Sequence, residues 1–444
     1  MNIAICGLIS ETSNLFISFY RYLNDKGNKI LFIEPYYSGA VCLIEEGINF
    51  YELGKEISFD SYHDSIDCLD KVLEYEYQLL DKKFLSRRIV EKKKEEKRKE
   101  AQRLIYFYEE MFRTNEISLV IVWNGFEIKT STAVHAAKNC SISSIYLEKG
   151  LLPKYLQVDH IGINAFNSGK NSIDKYLQHP IIYPIKHFHE MLQSTWVLKN
   201  PFKKISKYSK MRYFLDRRLY KELFHHFHYS LITKFEDIVN SLSNGLIIFF
   251  TKYRWKKYDE ILKIFVPFQV SVDSQLLLSG GWTTSNIALI ENIMAAIKKK
   301  DSSLIVVKPH PWEKHDRINW NLIWRYKNLV FSNENTIELI LRSSVVITIN
   351  STVGFESILF GKPTILLGDA LYSNVELIKS AKSVEELNNM LHNLNMNMIE
   401  KQKIERLVNC VEKLLVLCDF NNPSEEDIYR LFHKINDQVK SYSS

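Results

Sequence analysis

A lysine and a histidine stand two positions apart in VVKPHPWEKH, at the end of the apolar run SLIVV. Such a run predicts a β-strand, so Lys308 and His310 would lie at its carboxyl end. Lysine supplies a point charge for a phosphate, and histidine can donate a hydrogen bond or a proton to a departing phosphate. Because proline fixes the backbone, Pro311 defines the position of the histidine. The motif favours phosphate chemistry over a purely structural histidine.

A second motif couples a strand to a helix start within 347–372. The run VVITIN leads directly into STVGFESILFG, where Ser351 and Thr352 are well placed as helix caps and Gly354 allows close backbone approach. The free N–H groups of a helix start, with the positive end of its dipole, predict a phosphate site. Glu356 follows one turn later, where a carboxylate can accept from ribose or base donors. The alternative is an ordinary capped helix.

Carboxylates follow two further strand-like runs. In IFVPFQVSVDSQLLL, the apolar run delivers Gln269, Asp273 and Gln275 into a loop. A carboxylate there binds sugar hydroxyls, acts as a base or acts as a nucleophile; the alternative is a helix N-cap. In IYLEKGLLPKYLQVDHIGIN, Glu148 and Gly150 end a strand that faces the expected cleft. Asp273 and Glu148, from opposite domains, would supply the two carboxylates of a retaining double displacement.

The elements that must position these residues alternate between strand and helix. NIAICGLIS, ETSNLFISFYRYLNDKG and KILFIEP predict a β-α-β unit, and a second series runs from GLIIFFT to PTILLG. The chain closes in helices near 399–417 and 424–440. We predict an α/β protein with one Rossmann-like domain at 1–180, a helical connector at 181–243, and a second Rossmann-like domain with terminal helices at 244–444. This layout is typical of the GT-B architecture, in which ligands bind at the carboxyl ends of the strands.

Length and composition restrict the class of protein. The 444 residues are 46% hydrophobic and 25% charged, which suffices for two cores. A net charge of +6 does not require a polyanionic partner, and no nucleic-acid-binding module accompanies the basic residues. The N terminus lacks a signal-peptide pattern, and no apolar run reaches about 18 residues. We therefore expect a cytoplasmic protein, at most peripheral on the inner face of the membrane.

Cysteine and histidine patterns do not predict a metal site. The six cysteines are scattered without a CxxC or other metal-binding spacing, and they fit free thiols in a reducing compartment. His225, His226 and His228 cluster without an accompanying carboxylate or cysteine pattern, so packing or surface exposure is their expected role. We expect no metal and no cofactor.

Residues 81–103 form a highly charged segment in which Glu and Lys are interleaved. The pattern predicts a long solvated helix stabilised by pairs at i,i+4 spacing. The alternative is a basic face that contacts anionic lipid. In that case 92–99 and the basic stretch 203–218 would lie on the inner leaflet.

Four separated strings keep the order and strand context of one family. YLEKGLLP with DHIGIN, VPFQVSVDSQ, VVKPHPWEK and INSTVGFESILFGKPTILLGDALY resemble the capsule polysaccharide synthesis family, the Kps-type proteins that include retaining β-Kdo transferases. The resemblance spans about 119–372, and the strand-glycine element at Gly7 also fits. Lys149 and Leu152 stand where the family pattern carries an acidic residue and an arginine, which leaves the acceptor open.

The resemblance implies a role for each candidate residue. Asp273 would be the nucleophile that displaces CMP and holds Kdo covalently, and Glu148 the acid/base that deprotonates the acceptor hydroxyl. The donor would be CMP-Kdo, bound without metal because protein donors and a helix terminus neutralise a single phosphate. Phosphate binding is implied for Lys308, His310, Asn350, Ser351 and Thr352, and Pro311 is expected in the same nucleotide-sugar site. Nucleotide contact is implied for Glu356, and sugar contact or orientation of Asp273 for Gln269 and Gln275. Gly7, Gly150 and Asn164 are expected in the same cleft.

Two other functions remain open. A transferase for another nucleotide-sugar, such as CMP-sialic acid or a UDP- or GDP-sugar, would use the same phosphate motifs. A non-catalytic partner in polysaccharide assembly or export would retain the fold without the chemistry. For a transferase, the expected partners are a nucleotide-sugar donor and a lipid-linked or glycan acceptor.

Overall fold

The chain divides into two compact units, each built on one sheet. The computed structural model describes residues 1–53, 69–82, 86–195, 263–297, 303–310, 320–394 and 399–442. Of these, the first unit contains 1–168, 190–195 and 412–442, and the second contains 169–189 and the described residues from 263 to 411. Both sheets are mostly parallel, so the predicted α/β class with two Rossmann-like domains is confirmed.

The first sheet has a doubly wound core. Its strands are β1 (Asn2–Cys6), β2 (Lys29–Ile33), β3 (Phe50–Tyr51), β4 (Leu119–Trp123), β5 (Ser143–Lys149), β6 (Tyr155–Asp159) and β13 (Val416–Leu417). They lie in the order β13-β6-β5-β4-β1-β2-β3. The neighbouring strands β3, β2, β1, β4 and β5 pair in parallel, whereas β6 and β13 add antiparallel pairs at one edge. The strand order reverses between β1 and β4, which is where such sheets bind ligands.

Helices cover both faces of the first sheet. They are α1 (Ser13–Asn24), α2 (Tyr37–Glu45), α3 (Leu69–Val72), α4 (Glu74–Asp81), α5 (Arg87–Thr114), α6 (Ile128–Asn139) and a C-terminal helix, α16 (Glu425–Tyr442). Ile3 and Ile5 of β1 are buried in one core, and Ala4 and Cys6 are buried in the core on the opposite face. This alternation is the two-residue period of a strand that is covered on both sides.

The C-terminal segment belongs to the first unit, which corrects the predicted domain at 244–444. β13 pairs with β6, and α16 packs against α1, β5 and β6. Ile428 and Ile435 of α16 are buried in the same core as β1, and Phe432 contacts Phe19 with ring centroids 6.3 Å apart. The sequence predicts this helix and its apolar stripe, but a stripe does not reveal which sheet it covers.

The second sheet is parallel throughout. Its strands are β7 (Lys263–Pro267), β8 (Leu304–Lys308), β9 (Leu329–Phe331), β10 (Val345–Thr348), β11 (Thr364–Leu366) and β12 (Ile378–Ser380). They lie in the order β12-β11-β10-β7-β8-β9. Numbered along the chain, this is the 3-2-1-4-5-6 order of a Rossmann sheet, and its switch point lies between β7 and β10. The predicted strand GLIIFFT lies outside the described residues.

The remaining described helices belong to the second unit, except that the last residues of α8 and α15 fall in the first. They are α7 (Lys170–Ile173), α8 (Ile185–Thr195), α9 (Ser274–Ser279), α10 (Asn286–Ala296), α11 (Trp320–Arg325), α12 (Thr336–Arg342), α13 (Thr352–Leu359), α14 (Val384–His392) and α15 (Lys401–Leu414). The second unit begins at 169, which shortens the predicted first domain at 1–180. Lys170 forms an ion pair with Asp369 within the second unit, and this pair helps to hold the segment 169–189 in that unit.

Residues 87–103 of the charged segment form the N-terminal part of α5, a helix of 28 residues. Its cations pair along the helix and with acidic residues that precede it, as in Lys92–Glu96, Lys99–Glu95, Lys97–Glu100, Lys94–Asp81 and Arg98–Asp70. This pairing favours the solvated helix over a basic face, although each exposed pair contributes only about 0.5 kcal/mol. Within the described ranges, no helix is long and apolar enough to span a bilayer.

Several predictions from the sequence fall on residues that the structure does not describe. These are most of the connector at 181–243, the basic stretch 203–218, and the histidines His225, His226 and His228.

Candidate active site

Three buried amide side chains fill the switch point of the second sheet. Gln269 follows β7, Asn350 follows β10, and Asn286 begins α10. Gln269 Nε2 donates to Asn350 Oδ1 at 2.8 Å, and the Asn350 N–H donates to Gln269 Oε1 at 3.1 Å. Asn286 accepts from the Gln269 N–H at 3.1 Å and donates to its carbonyl at 2.8 Å. Because unsatisfied buried amides are costly, this network fixes the ends of β7 and β10 relative to each other.

The short helix α9 is held against the carboxyl edge of this sheet. Asn350 Nδ2 donates to the Gln275 carbonyl at 2.7 Å, and the Asp369 N–H, just after β11, donates to the Ser279 carbonyl at 2.7 Å. Asp273 caps the N terminus of α9, with its Oδ1 accepting from the Gln275 N–H at 2.8 Å. The strand ends therefore position the helix that carries Asp273, and the cap bond directs its carboxyl group.

This arrangement gives Gln269 and Asn350 indirect roles. The resemblance implies that Asn350 binds phosphate, but its backbone N–H and its side-chain amide are hydrogen-bonded within the protein, and it is 1% exposed. Asn350 therefore positions α9, which corrects the expected role. Gln269 is 7% exposed and its side chain is bonded to Asn350, which favours the second of its two expected roles, the orientation of Asp273 through α9.

Lys308 and Glu356 are electrostatically coupled at the same edge. Lys308 ends β8, and its Nζ donates to Thr336 Oγ1 at 2.8 Å. Burial raises the pKa of Glu356 to about 7, and the charge of Lys308 opposes that rise. Burial lowers the pKa of Lys308, and Glu356 opposes that change in turn. Glu356 is half-buried as a residue, but its Oε2 is buried without a hydrogen-bond partner among the described residues. A ligand with hydrogen-bond donors would satisfy that oxygen.

The raised pKa of Glu356 predicts a pH dependence of stability. The folded protein binds this proton more tightly than the unfolded chain, whose glutamate titrates near 4.5. The stability that the group contributes is fully present below pH 4.5 and is lost as the pH rises to about 7, by on the order of 3 kcal/mol. Glu356→Gln removes this titration. We therefore expect its free energy of unfolding to vary less between about pH 5 and pH 8 than that of the wild type.

Denaturant unfolding across that pH range measures the difference. Glu338→Gln, at an exposed position of α12, is the matched control and should follow the wild type. Parallel profiles for the wild type and Glu356→Gln would show that Glu356 does not titrate in this range.

The start of α13 is tied to the segment after β11. Ser351 caps the helix, with its Oγ accepting a backbone N–H at 3.3 Å, and its carbonyl accepts from the Tyr372 phenol. A Cβ on Gly354 would lie 2.5 Å from the Tyr372 Oη and 3.0 Å from Thr348 Cγ2, so glycine permits this approach. Burial raises the pKa of Tyr372 well above its usual range, which keeps the phenol a neutral donor. Ser351 and Thr352 remain partly exposed.

His310 lies near Lys308 at the carboxyl edge. It follows β8 by two residues and is half-buried, whereas Pro311 lies outside the described residues. β8 pairs with β7 such that Lys308 lies opposite Pro267, two residues before Gln269. The second unit thus gathers at one edge most of the predicted donor residues, namely Gln269, Asp273, Gln275, Lys308, His310, Asn350, Ser351, Thr352 and Glu356. Sequence reasoning missed Asn286, Thr336 and Tyr372, because their roles depend on partners distant in sequence.

Glu148 lies near the carboxyl end of β5 in the first unit. Its Oε2 accepts from Asn124 Nδ2 at 3.3 Å and its Oε1 from the Lys149 N–H at 2.9 Å. Asn124 follows β4 with a φ of +69°, and its Oδ1 accepts from the Phe126 N–H at 3.1 Å. Sequence reasoning missed Asn124, although the Asn-Gly pair after the strand SLVIVW signals a turn there. Glu148 and Asp273 belong to different units, so their cooperation stays a prediction.

The other predicted cleft residues of the first unit have structural roles. Gly7 follows β1 with a φ of +68°, and a Cβ there would lie 2.6 Å from Thr130 Cγ2 at the start of α6. Gly150 closes the turn between β5 and β6 by donating to the Tyr155 carbonyl at 2.7 Å. Asn164 accepts from Gln157 Nε2 at 2.7 Å, and its N–H donates to Gln157 Oε1 at 2.8 Å. Gly7 alone of these three lies at the switch point of its sheet.

Two Rossmann-type sheets, one with a polar site at its switch point, define an α/β protein of the GT-B-like class. The family model described as Capsule polysaccharide biosynthesis protein matches residues 119–395, which is more than half of the chain. The chain therefore belongs to the capsule polysaccharide biosynthesis family, and the family resemblance seen in the sequence is confirmed.

Two curated relatives and a solved structure are similar to this chain. Protein FixF of Sinorhizobium fredii (strain NBRC 101917 / NGR234) is 27% identical over 271 residues, covering 61% of this chain and 53% of FixF. Capsule polysaccharide export protein KpsS of Escherichia coli is 23% identical over 261 residues, covering 53% of this chain and 63% of KpsS. The chain thus spans less than two thirds of either relative. The Thermosulfurimonas dismutans KpsC β-Kdo 2,4 transferase has a TM-score of 0.36 and 15% identity, covering 66% of this chain and 79% of that one.

Proposed function

We propose that the chain is a glycosyltransferase of capsule or surface polysaccharide synthesis with CMP-Kdo as its donor. The observation that carries the proposal is the polar edge of the second sheet. There a capped helix start, a lysine and a carboxyl oxygen that is buried without a partner among the described residues lie beside the switch point. Family membership supports the polysaccharide context.

The donor nucleotide would be bound by two kinds of group. The N terminus of α13, with Ser351 and Thr352, offers N–H and hydroxyl donors and a positive dipole end to the phosphate. Lys308 would add positive charge and His310 a further hydrogen-bond donor, so a single phosphate would be neutralised by protein groups. The unsatisfied oxygen of Glu356 would accept from ribose or base donors.

Transfer would proceed by double displacement. The Asp273 carboxylate would attack the anomeric carbon of Kdo, the bond from that carbon to the phosphate oxygen would break, and CMP would leave with the electron pair. Glu148 would then take the proton of the acceptor hydroxyl as that oxygen attacks the same carbon and displaces Asp273. Two inversions give net retention. The fixed position of Asp273 on α9 supports its assignment as the nucleophile, because a positioned nucleophile loses little entropy in the attack.

Two observations support other candidate functions. The phosphate-binding groups do not distinguish the base, so CMP-sialic acid or a UDP- or GDP-sugar would use the same edge. The relative KpsS is named a capsule polysaccharide export protein, which favours a non-catalytic assembly or export partner as the second candidate. The proposed acceptor is lipid-linked or a free glycan, met on the inner face of the cytoplasmic membrane.

Nucleotide protection tests the donor site. We expect CMP to raise the melting temperature by several degrees, because a ligand that binds only the folded state stabilises it. UDP and GDP should raise it less, because the proposed donor is linked to CMP. Lys308→Ala should reduce the shift with CMP, whereas Lys379→Ala, at an exposed position of β12, should not. Protection by UDP alone would contradict a CMP-linked donor, and no protection by any nucleotide would contradict a nucleotide-sugar function.

A further inference from the structure

Asn124 lies beside Glu148 at the carboxyl edge of the first sheet. It follows β4 with a φ of +69°, and Gly125 continues the turn with a φ of +86°. The Asn124 N–H donates to the Leu147 carbonyl at 2.9 Å, which fastens the turn to β5, the strand that carries Glu148. Asparagine adopts the left-handed region more readily than most residues, so this backbone favours the residue that stands here.

The turn also orients the amide of Asn124. Its Oδ1 accepts from the Phe126 N–H at 3.1 Å, and only the carbonyl side of an amide accepts such a bond. The NH₂ side therefore faces Glu148, where Nδ2 donates to Oε2 at 3.3 Å. The other carboxylate oxygen, Oε1, accepts from the Lys149 N–H at 2.9 Å. Both oxygens of Glu148 thus accept from donors that the ends of β4 and β5 hold in place.

Packing holds the turn on the face of β5 that presents Glu148. A Cβ on Gly125 would lie 2.5 Å from the ring of Tyr146, so glycine permits this close approach. Tyr146 and Glu148 are two residues apart on β5 and project from the same face of the strand. The turn that carries Asn124 is therefore packed beside the carboxylate, and its amide is directed by the fold.

This geometry suits a carboxylate that must accept a proton. The side neighbours of Glu148 in the sheet are Asn124 after β4 and Gln157 on β6, and neither is charged. An N–H group that donates to a carboxylate favours its ionised form, which is the form that takes the proton of the acceptor hydroxyl. We propose that Asn124 is a positioning residue that orients Glu148 as the base for acceptor attack. This inference rests on the proposed function.

Two charged groups on adjoining elements have their own partners in the first unit. Lys149 pairs with Glu11, and the Glu127 carboxyl at the N-cap of α6 is hydrogen-bonded to the Tyr36 phenol. A charge placed at position 124 would therefore be a new group that faces the Glu148 carboxylate.

Asn124→Asp is the sharpest test. Aspartate keeps an oxygen for the Phe126 N–H and tolerates the left-handed backbone, but it replaces the donor to Glu148 by a second carboxylate. A neighbouring negative charge makes a carboxylate hold its proton more tightly. We expect the acidic limb of kcat/KM for the acceptor to move to higher pH by at least about one unit. Formation of the Kdo adduct from CMP-Kdo, which does not use this base, should keep its rate.

Two further variants complete the design. Asn139→Asp is the matched control, because Asn139 Nδ2 donates to Glu109 Oε1 at 2.8 Å at an exposed position of α6, and it should keep the wild-type profile. Asn124→Gly adopts the same φ without strain but lacks the amide. It should slow transfer to the acceptor by about tenfold and leave adduct formation unchanged.

The titration of Glu148 is followed without substrate by NMR of ¹³C-labelled glutamate carboxyls, assigned with Glu148→Gln. Its midpoint should rise in Asn124→Asp and stay unchanged in Asn139→Asp. If the wild type transfers no sugar while this midpoint rises, the proposed function fails and the contact of Asn124 with Glu148 stands. An active wild type with the same acceptor profile and midpoint in Asn124→Asp would overturn the role of Asn124. Equal slowing of adduct formation and acceptor transfer would also overturn it, because that pattern indicates a general structural loss.

Discussion

Asp273→Ala is expected to lower the rate of transfer by at least about a thousandfold, because it removes the proposed nucleophile. The substitution also removes the N-cap of α9, which costs about 1 kcal/mol and leaves the fold intact. The measurement is the rate at which CMP is released and product formed from CMP-Kdo and acceptor. Circular dichroism and the melting temperature establish that the variant is folded.

Two control variants separate the nucleophile from the cap. Asp273→Asn keeps a side-chain oxygen that can accept from the Gln275 N–H but is a poor nucleophile, so we expect a stable, inactive protein. Ser383→Ala removes the cap of α14, where the Ser383 Oγ accepts from the Glu386 N–H at 3.2 Å, and should lose similar stability while keeping its activity. Wild-type rates for both Asp273 variants would mean that this residue serves only as a helix cap.

Asn350→Asp should destabilise the second unit by roughly 2–4 kcal/mol although the side chains have nearly the same shape. The Asn350 Nδ2 that donates to the Gln275 carbonyl would be replaced by an acceptor, so two oxygens would face each other. The new charge would also be buried, since position 350 is 1% exposed. A loss of this size corresponds to a fall in melting temperature of about 5–15 °C for a unit of this length.

Asn393→Asp is the matched control for that exchange. Asn393, the exposed C-cap of α14, donates from its Nδ2 to the Asn389 carbonyl at 3.1 Å, so the same chemical change should cost no more than about 0.5 kcal/mol. Equal losses for the two variants would contradict the role of Asn350 in holding α9. Thermal and denaturant unfolding both measure the difference.

The fold could be predicted to the extent that buried strands are apolar. β1, β4, β8 and β10 are nearly continuous apolar runs, as expected for parallel strands covered on both faces. The short edge strand β12 was missed, because Ile378 is its one buried residue. The domain assignment of α16 was wrong for a different reason. Its apolar stripe fits any apolar face, and its contact with α1, which places it in the first unit, is not visible in the sequence.

The candidate site could be predicted where one short segment contains the chemistry. The capped helix start at Ser351 and the position of Lys308 at the end of a strand are local features, and both are present. The bonds between Gln269 and Asn350 join residues 81 positions apart, so no local pattern reveals that these amides are engaged with each other. The shifted pKa of Glu356 likewise arises from burial and from Lys308, which only the folded unit brings near.

Intact-protein mass measurement after incubation with CMP-Kdo, generated in situ, tests the central claim most directly. A retaining double displacement predicts a mass increase of one Kdo residue, located on Asp273 by peptide mapping, released when acceptor is added and missing from Asp273→Asn. CMP release and product formation without any adduct on the wild type, or an adduct on another residue, would contradict the assignment of Asp273 as the nucleophile.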